Sequence, residues 1–277
     1  MAQAIWTGET VSGAIGRAGN WRVQLVEVGS GRHPGSWVGP TYPKWYWSPI
    51  NVVVLQAPEE TVLIDCGPGI TSSWWPFEGF RSDTQGALAD AGVTPEDVDL
   101  IVLTHLDYDH AGGLLEGTWP DDLRLAFPRA RVAIHRDAIE AARASDPDQE
   151  YNVGTRLVEL LERESRLFVV DDREQVADDV RVESAPGHRV GHVCVHVDAS
   201  DPFVHAADAF HSEAHVAHPE WDTSSDQFPD IALETRRRVI AELAAGGART
   251  VITHMQGPYP FRIAPDGRGF KTVTMRP

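Results

Sequence analysis

Along the 277-residue chain, apolar positions switch repeatedly between a two-residue and a 3.6-residue period. Positions 21–28 alternate imperfectly, with Trp21, Val23 and Leu25 set against Arg22 and Gln24, and predict a strand. The Val- and Ile-rich runs 50–55 and 61–65 predict two more, joined by the polar turn Ala57-Pro58-Glu59-Glu60. Further strand-like runs cover 100–103, 131–135, 167–170, 180–183, 193–197, 203–207 and 250–254. Helical spacing marks 82–92, 137–144, 152–166 and 229–245, the last stopped by Gly246-Gly247. Strands alternating with helices predict an α/β fold.

Residues 29–49 interrupt this pattern. They combine Gly and Pro with Trp37, Tyr42, Trp45, Tyr46 and Trp47. The stretch is too proline-rich for regular structure and too aromatic for a solvated linker, so it predicts an irregular loop. Such a loop either packs on its own core or walls a substrate pocket. Trp74, Trp75 and Phe77 predict a second apolar wall, and Trp221 and Phe228 another side of the mouth. The basic run Arg236-Arg237-Arg238 reads as a solvated helix face.

The run 100–103 gives way at once to His105, Asp107, Asp109 and His110, then to Ala111-Gly112-Gly113. Four such side chains cannot lie inside an apolar strand, so they belong to the turn that leaves it. Imidazoles and carboxylates packed this closely suit a divalent metal of the zinc, manganese or iron type. A polar loop with two surface histidines is the alternative.

The segment Thr104-His105-Leu106-Asp107-Tyr108-Asp109-His110 resembles the His-x-His-x-Asp-His signature of metallo-β-lactamase-fold hydrolases, with Asp107 where the family has its second histidine. Three more segments resemble that family in the same order. Asp65-Cys66-Gly67 is similar to its early Asp-x-Gly, whose aspartate supports the metal loop without binding metal. Pro186-Gly187-His188-Arg189-Val190-Gly191-His192 is similar to its Pro-Gly-His-x-x-Gly-His, where His188 corresponds to a ligand and His192 to a residue that supports the fold. His254, in a His-x-x-Gly-Pro setting, resembles the last ligand of the branch that includes lactonase-like and organophosphate-hydrolysing members. Asp208 stands where the family bridges two metals, although Ala207 replaces the usual glycine before it.

The resemblance implies a four-layer αββα sandwich with two divalent ions, zinc by family, and manganese or iron made more competitive by Asp107. One ion would be held by His105, Asp107 and His188, the other by Asp109, His110 and His254, with Asp208 shared. It also implies a metal-bridging hydroxide that attacks a lactone or a related carboxylic or phosphoric ester. Catalytic roles then fall to Asp109 and to His211, which stands where related lactonases place a substrate-contacting tyrosine. A diiron oxidoreductase of the same fold is the alternative, since relatives of that kind also replace the second histidine by a carboxylate.

Composition narrows the partners. With 24 basic residues against 41 acidic ones and a formal charge of −17, nucleic acid is not an expected partner. No run of apolar residues approaches a membrane span, and residues 1–6 show no secretory pattern. The two cysteines, Cys66 and Cys194, are expected as buried thiols in a reducing cytoplasm. The expectation is one domain over 1–277 acting on a small molecule, with a homodimer left open.

Overall fold

The computed structural model describes residues 13–76, 79–149, 152–221, 224–257, 260–267 and 269–275. Phe77, and with it part of the second apolar wall, lies outside them, as do Met1 to Trp6 and the Pro258-Tyr259 pair after the last histidine.

The first sheet uses β1 (Gly13–Ala18), β2 (Trp21–Pro34), β3 (Trp45–Gln56), β4 (Thr61–Ile64), β5 (Arg81–Ser82) and β6 (Leu100–Val102). After a separate hairpin of β7 (Leu115–Thr118) and β8 (Asp122–Leu125), it resumes with β9 (Arg131–His135) and β10 (Leu167–Val170). The strand order is β1-β2-β3-β4-β6-β9-β10, with β5 paired to β2. The second sheet runs in sequence order through β11 (Gln175–Ala177), β12 (Val180–Ser184), β13 (Val193–Val197), β14 (Phe203–His205), β15 (Arg249–Val251), β16 (Phe261–Asp266) and β17 (Gly269–Thr274). The helices are α1 (Thr84–Asp90), α2 (Tyr108–Ala111), α3 (Arg136–Ala144), α4 (Gly154–Arg163), α5 (Ala214–Ala217) and α6 (Pro229–Gly246).

Side-chain alternation builds the layers. On β3, Val53 and Leu55 face the second sheet, and on β6 Leu100 and Val102 do the same; they meet Val182, Val195 and Phe203 across the sandwich. The intervening Val52, Val54 and Ile101 point the other way, against Leu88 of α1, Ile139 of α3 and Leu157 of α4. On the outer face of the second sheet, Cys194 and Val204 pack on Val239, Ile240 and Leu243 of α6. Period-two alternation in strands buried on both faces thus yields helix, sheet, sheet and helix, the αββα architecture. No helix among the described residues is long and apolar enough to cross a membrane.

Two expectations need correction. Residues 29–49 are mostly strand: β2 continues to Pro34 and β3 begins at Trp45, in continuous antiparallel register from Gly29↔Ile50 to Pro34↔Trp45. Pro49 is tolerated because β4 pairs with β3 only from Val53 onward, so among the described residues the edge it would interrupt carries no ladder there. What is irregular is 35–44, where Gly35–Trp37 forms a short 3-10 turn. The second correction concerns Arg236, which is buried, 1% exposed, while Arg237 faces solvent. Helical period explains it: positions 232, 236, 239, 240 and 243 share the inward stripe of α6.

The hairpin tip also meets the segment after Asp208. Tyr42 Oη and Ser212 Oγ are 3.2 Å apart, and His215 Nε2 donates to the Val38 carbonyl at 2.9 Å. A Cβ on Gly39 would lie 2.0 Å from Trp221 Cε3.

Candidate metal centre

β4, β6, β14 and β15 end at the same edge, because β4 is parallel to β6 and β14 to β15. Their exits deliver Asp65, His105, Asp208 and His254 to one place. The turn after β12 adds His188, and α2 adds Asp109 and His110. Two glycines let this turn pass under the chain at 66–69: a Cβ on Gly113 would sit 1.9 Å from the Cys66 carbonyl oxygen, and one on Gly112 2.3 Å from that of Pro68.

Asp208 Oδ2 is the hub. It lies 3.4 Å from His110 Nε2, 3.6 Å from His188 Nε2, 3.3 Å from His254 Nε2 and 3.3 Å from His211 Nε2. Asp109 Oδ2 is 3.4 Å from His254 Nε2 and 3.9 Å from His110 Nε2. Ligand-capable atoms of His105, His188 and Asp208 lie within 4.8 Å of one another, and so do those of Asp109, His110 and His254. A third such group joins His188, His211 and Asp226.

The outward nitrogens fix each tautomer. His110 Nδ1 donates to Asp65 Oδ2 at 2.9 Å, His188 Nδ1 to Asp226 Oδ1 at 3.1 Å, and His254 Nδ1 to the Pro49 carbonyl at 3.1 Å, with Ser48 Oγ 3.2 Å away. Thr104 Oγ1 donates to Asp65 and therefore accepts from His105 Nδ1 at 3.1 Å. All four neutral rings then present an Nε2 lone pair to the centre. His105, His110 and His188 Nε2 and Asp208 Oδ1 are buried and have no hydrogen-bond partner among the described residues. Orphaned acceptors each cost about 1–3 kcal/mol, so three such ring nitrogens gathered around the Asp208 carboxylate fit a cation. This donor set of imidazole nitrogen and carboxylate oxygen suits zinc, manganese or iron.

Without a cation the same charge attracts protons. Burial pushes the His110 ring down, but Asp208, Asp65 and Asp109 more than reverse this and hold it well above its ordinary value. His188 and His254 are raised in the same way, against burial, by Asp107 and Asp226 and by Asp208 and Asp109. His105 goes the other way, down to about 4, through burial and the neighbouring His110.

Asp107 sits at the N-cap of α2, with Oδ2 3.5 Å from His188 Nε2 and 3.7 Å from His105 Nε2. Both of its oxygens also accept from Arg189, from Nε at 2.7 Å and Nη2 at 2.6 Å. Burial pushes the Asp107 carboxyl up, yet Arg189 and His105 hold it well below the carboxylate range. His192 accepts from the Asp208 backbone N–H at 3.2 Å and donates to the Ala185 carbonyl, which ties the turn of His188 to Asp208. His211 is buried; its backbone N–H donates to His215 Nδ1 at 3.2 Å, and its ring stacks on His254. His135 caps α3, its Nδ1 accepting from the Asp137 N–H at 3.2 Å.

Sequence reading missed Ser48, Asp226, Arg236, Arg189 and His33. Arg236 donates to Asp226 Oδ2 at 3.0 Å and to the carbonyls of Ala209, Pro219 and Trp221, pinning the segment that carries Asp208, His211 and Asp226 onto α6. His33 packs edge-on between Trp37 and Trp75 at 4.6 and 4.5 Å. Of these five, Arg189 had a signal as a position inside the Pro186 to His192 motif, and Arg236 had one in its helical phase with Val239 and Leu243.

A cavity of about 670 Å³ opens onto the cluster, with Trp37, Trp75, Leu106 and Tyr108 on apolar walls and Ser145, Gln149 and Asn152 among its polar lining. The walls thus include members of two aromatic stretches singled out in the sequence.

Known proteins are similar to this chain in sequence and in fold. A "probable metallo-hydrolase" of Mycobacterium tuberculosis is 30% identical over 178 residues, covering 58% of this chain, and one of Mycobacterium bovis matches with the same figures. The chain spans 56% of the length of these curated relatives. Among solved structures, the dizinc quorum-quenching lactonase AidC superposes with a TM-score of 0.82 at 20% identity, covering 96% of this chain and 98% of that one. The hydrolase AbOPH gives 0.79 at 19% identity, over 96% of this chain and 97% of that one. At such identity these two likenesses speak for the fold. The description of the metallo-beta-lactamase superfamily matches residues 45–254, from the hairpin to the last histidine of the cluster, and the chain belongs to that superfamily.

Proposed function

We propose that this chain is a metal-dependent hydrolase of a small ester-type substrate, a lactone or a related carboxylic or phosphoric ester. The observation that carries the reading is the convergence of four imidazole Nε2 atoms with Asp109 and Asp208 at the floor of a partly aromatic cavity. Two divalent cations, when bound, supply the positive charge that makes a water acidic and steadies a developing oxyanion. His105, Asp107 and His188 would hold one, Asp109, His110 and His254 the other, with Asp208 between them.

The remaining work falls to the chain's own groups. Asp65, Asp226, Thr104 and the Pro49 carbonyl keep the four rings turned inward, so a cation meets a preformed cage. We assign to His211, whose Nε2 lies 3.3 Å from Asp208 Oδ2 and 3.4 Å from Ser225 Oγ, the transfer of a proton to the departing oxygen. Trp37, Trp75 and Tyr108 exclude water from one side of the substrate and favour a partly apolar one. Two of the solved structures of this fold, a quorum-quenching lactonase and an N-acyl homoserine lactone hydrolase, carry an N-hexanoyl homoserine product, which supports a lactone within the ester class.

The test is chelator-stripped protein challenged with lactones, esters and organophosphates before and after zinc, manganese or iron is restored. Turnover should return only with metal, and His110→Ala should abolish it with folding intact. Turnover indifferent to chelation would remove the reading, and bound iron with oxygen consumption would point to oxidoreduction instead.

A further inference from the structure

We infer that Arg189 claims the carboxylate of Asp107 and so makes the two cation positions unequal, the one at His105 and His188 being the weaker. The inference rests on the metal-centre reading above and concerns how the centre fills.

Geometry carries it. Arg189 grips Asp107 fork to fork, Nε on Oδ1 at 2.7 Å and Nη2 on Oδ2 at 2.6 Å. Its remaining terminal nitrogen, Nη1, donates to the His188 carbonyl at 2.7 Å and to the Ser225 carbonyl. The guanidinium is therefore fixed by the same backbone that presents His188, and is not a swinging surface side chain. Bidentate pairs of this kind are the strong, directional ones.

Charge completes the argument. A guanidinium and a carboxylate in contact sum to zero, which is the formal charge a neutral histidine would bring to the same position. A cation at His105 and His188 thus meets one uncompensated carboxylate, Asp208, with Asp107 already engaged. A cation at His110 and His254 meets two, Asp109 and Asp208, whose ion-pair partners among the described residues are histidines. Asp107 Oδ2 lies 3.7 Å from His105 Nε2 and 3.5 Å from His188 Nε2, so the carboxylate that Arg189 engages is one that would otherwise face this cation. The exchange of histidine for aspartate at 107 and the arginine at 189 form one unit that preserves charge and weakens one position.

The experiment is titration of the chelator-stripped full chain with zinc by calorimetry and with cobalt by visible absorption. Wild type should load in two steps at least about tenfold apart. Arg189→Met frees Asp107 and should tighten the weaker step about tenfold while leaving the tighter one unchanged. Arg189→Lys, which keeps the charge and loses the fork, should fall between, and provides the reading should the methionine variant fail to fold. In the double variant Arg189→Met with Asp107→Asn the gain should vanish, since it requires the freed carboxylate. Two equal steps in wild type, or a weaker step that loosens or stays put in Arg189→Met, would overturn the inference and leave the hydrolase reading standing. Wild type that takes up no cation would remove both.

Discussion

Asp226 accepts from His188 Nδ1 at 3.1 Å through one oxygen and from Arg236 Nη2 at 3.0 Å through the other, with all three side chains buried. Burial alone would push this carboxyl up, but the histidines and Arg236 hold it below its usual range, so it stays ionised. Asp226→Asn keeps the shape and loses the charge that orients the ring. Its zinc affinity should fall about 10- to 100-fold with the fold retained, read by titration. Arg236→Met leaves the Asp226 charge buried without its guanidinium and should cost about 3–5 kcal/mol in denaturant unfolding. Wild-type affinity in the first variant would show that His188 needs no orienting partner.

His211 is expected to act on the proton inventory and not on cation retention. His211→Ala should lower kcat about 100-fold or more while zinc content stays at the wild-type level. A loss of bound zinc in parallel with activity would instead make His211 a ligand, as its place in the cluster with His188 and Asp226 allows.

Ala207 takes up a positive φ of 45°, in the left-handed region that disfavours a Cβ. This is the position where the family's glycine is replaced. Ala207→Gly removes the steric cost but gains freedom in the unfolded chain, so the net change should be a stabilisation of no more than about 1 kcal/mol. A clear destabilisation by the same denaturant assay would mean that the Ala207 methyl packs favourably enough to outweigh its backbone.

His33 is held neutral: burial, then His254 and His211, bring its pKa down from 6.5 to about 2. The unfolded chain takes up a proton here as pH falls below about 6.5, while the folded chain does not. Stability from this group is therefore complete above about 6.5 and drains towards about 2, at roughly 1.4 kcal/mol per pH unit. His33→Phe should flatten the loss of stability between pH 6.5 and 5 by about 2 kcal/mol, seen in urea midpoints at the two pH values. Parallel curves for variant and wild type would mean that His33 titrates in the folded protein.

The side chains that converge on the cluster were readable because each follows a strand within a few residues and carries its own local motif. Asp226 and Ser48 were not, since they orient rings 38 and 206 residues away and nothing beside them in sequence says so. Arg236 was misplaced because three arginines in a row read as a charged face; only the helical phase relative to Val239 and Leu243 separates the buried one from Arg237. The long hairpin was misread because Pro34 and Pro49 are breakers inside a sheet but acceptable along an edge that no third strand among the described residues occupies. The layers were the easier part, because alternation such as Val52 to Leu55 assigns successive residues to opposite cores without any distant information.

The fit of Gly39 against Trp221 bears on how chains of this fold can be recombined. A chimaera that borrowed its hairpin tip from one relative and its 211–228 segment from another would bring any ordinary side chain at 39 into the indole, 2.0 Å from Cε3. The two segments are thus heritable as a pair, and retailoring the mouth of the cavity means transplanting both together.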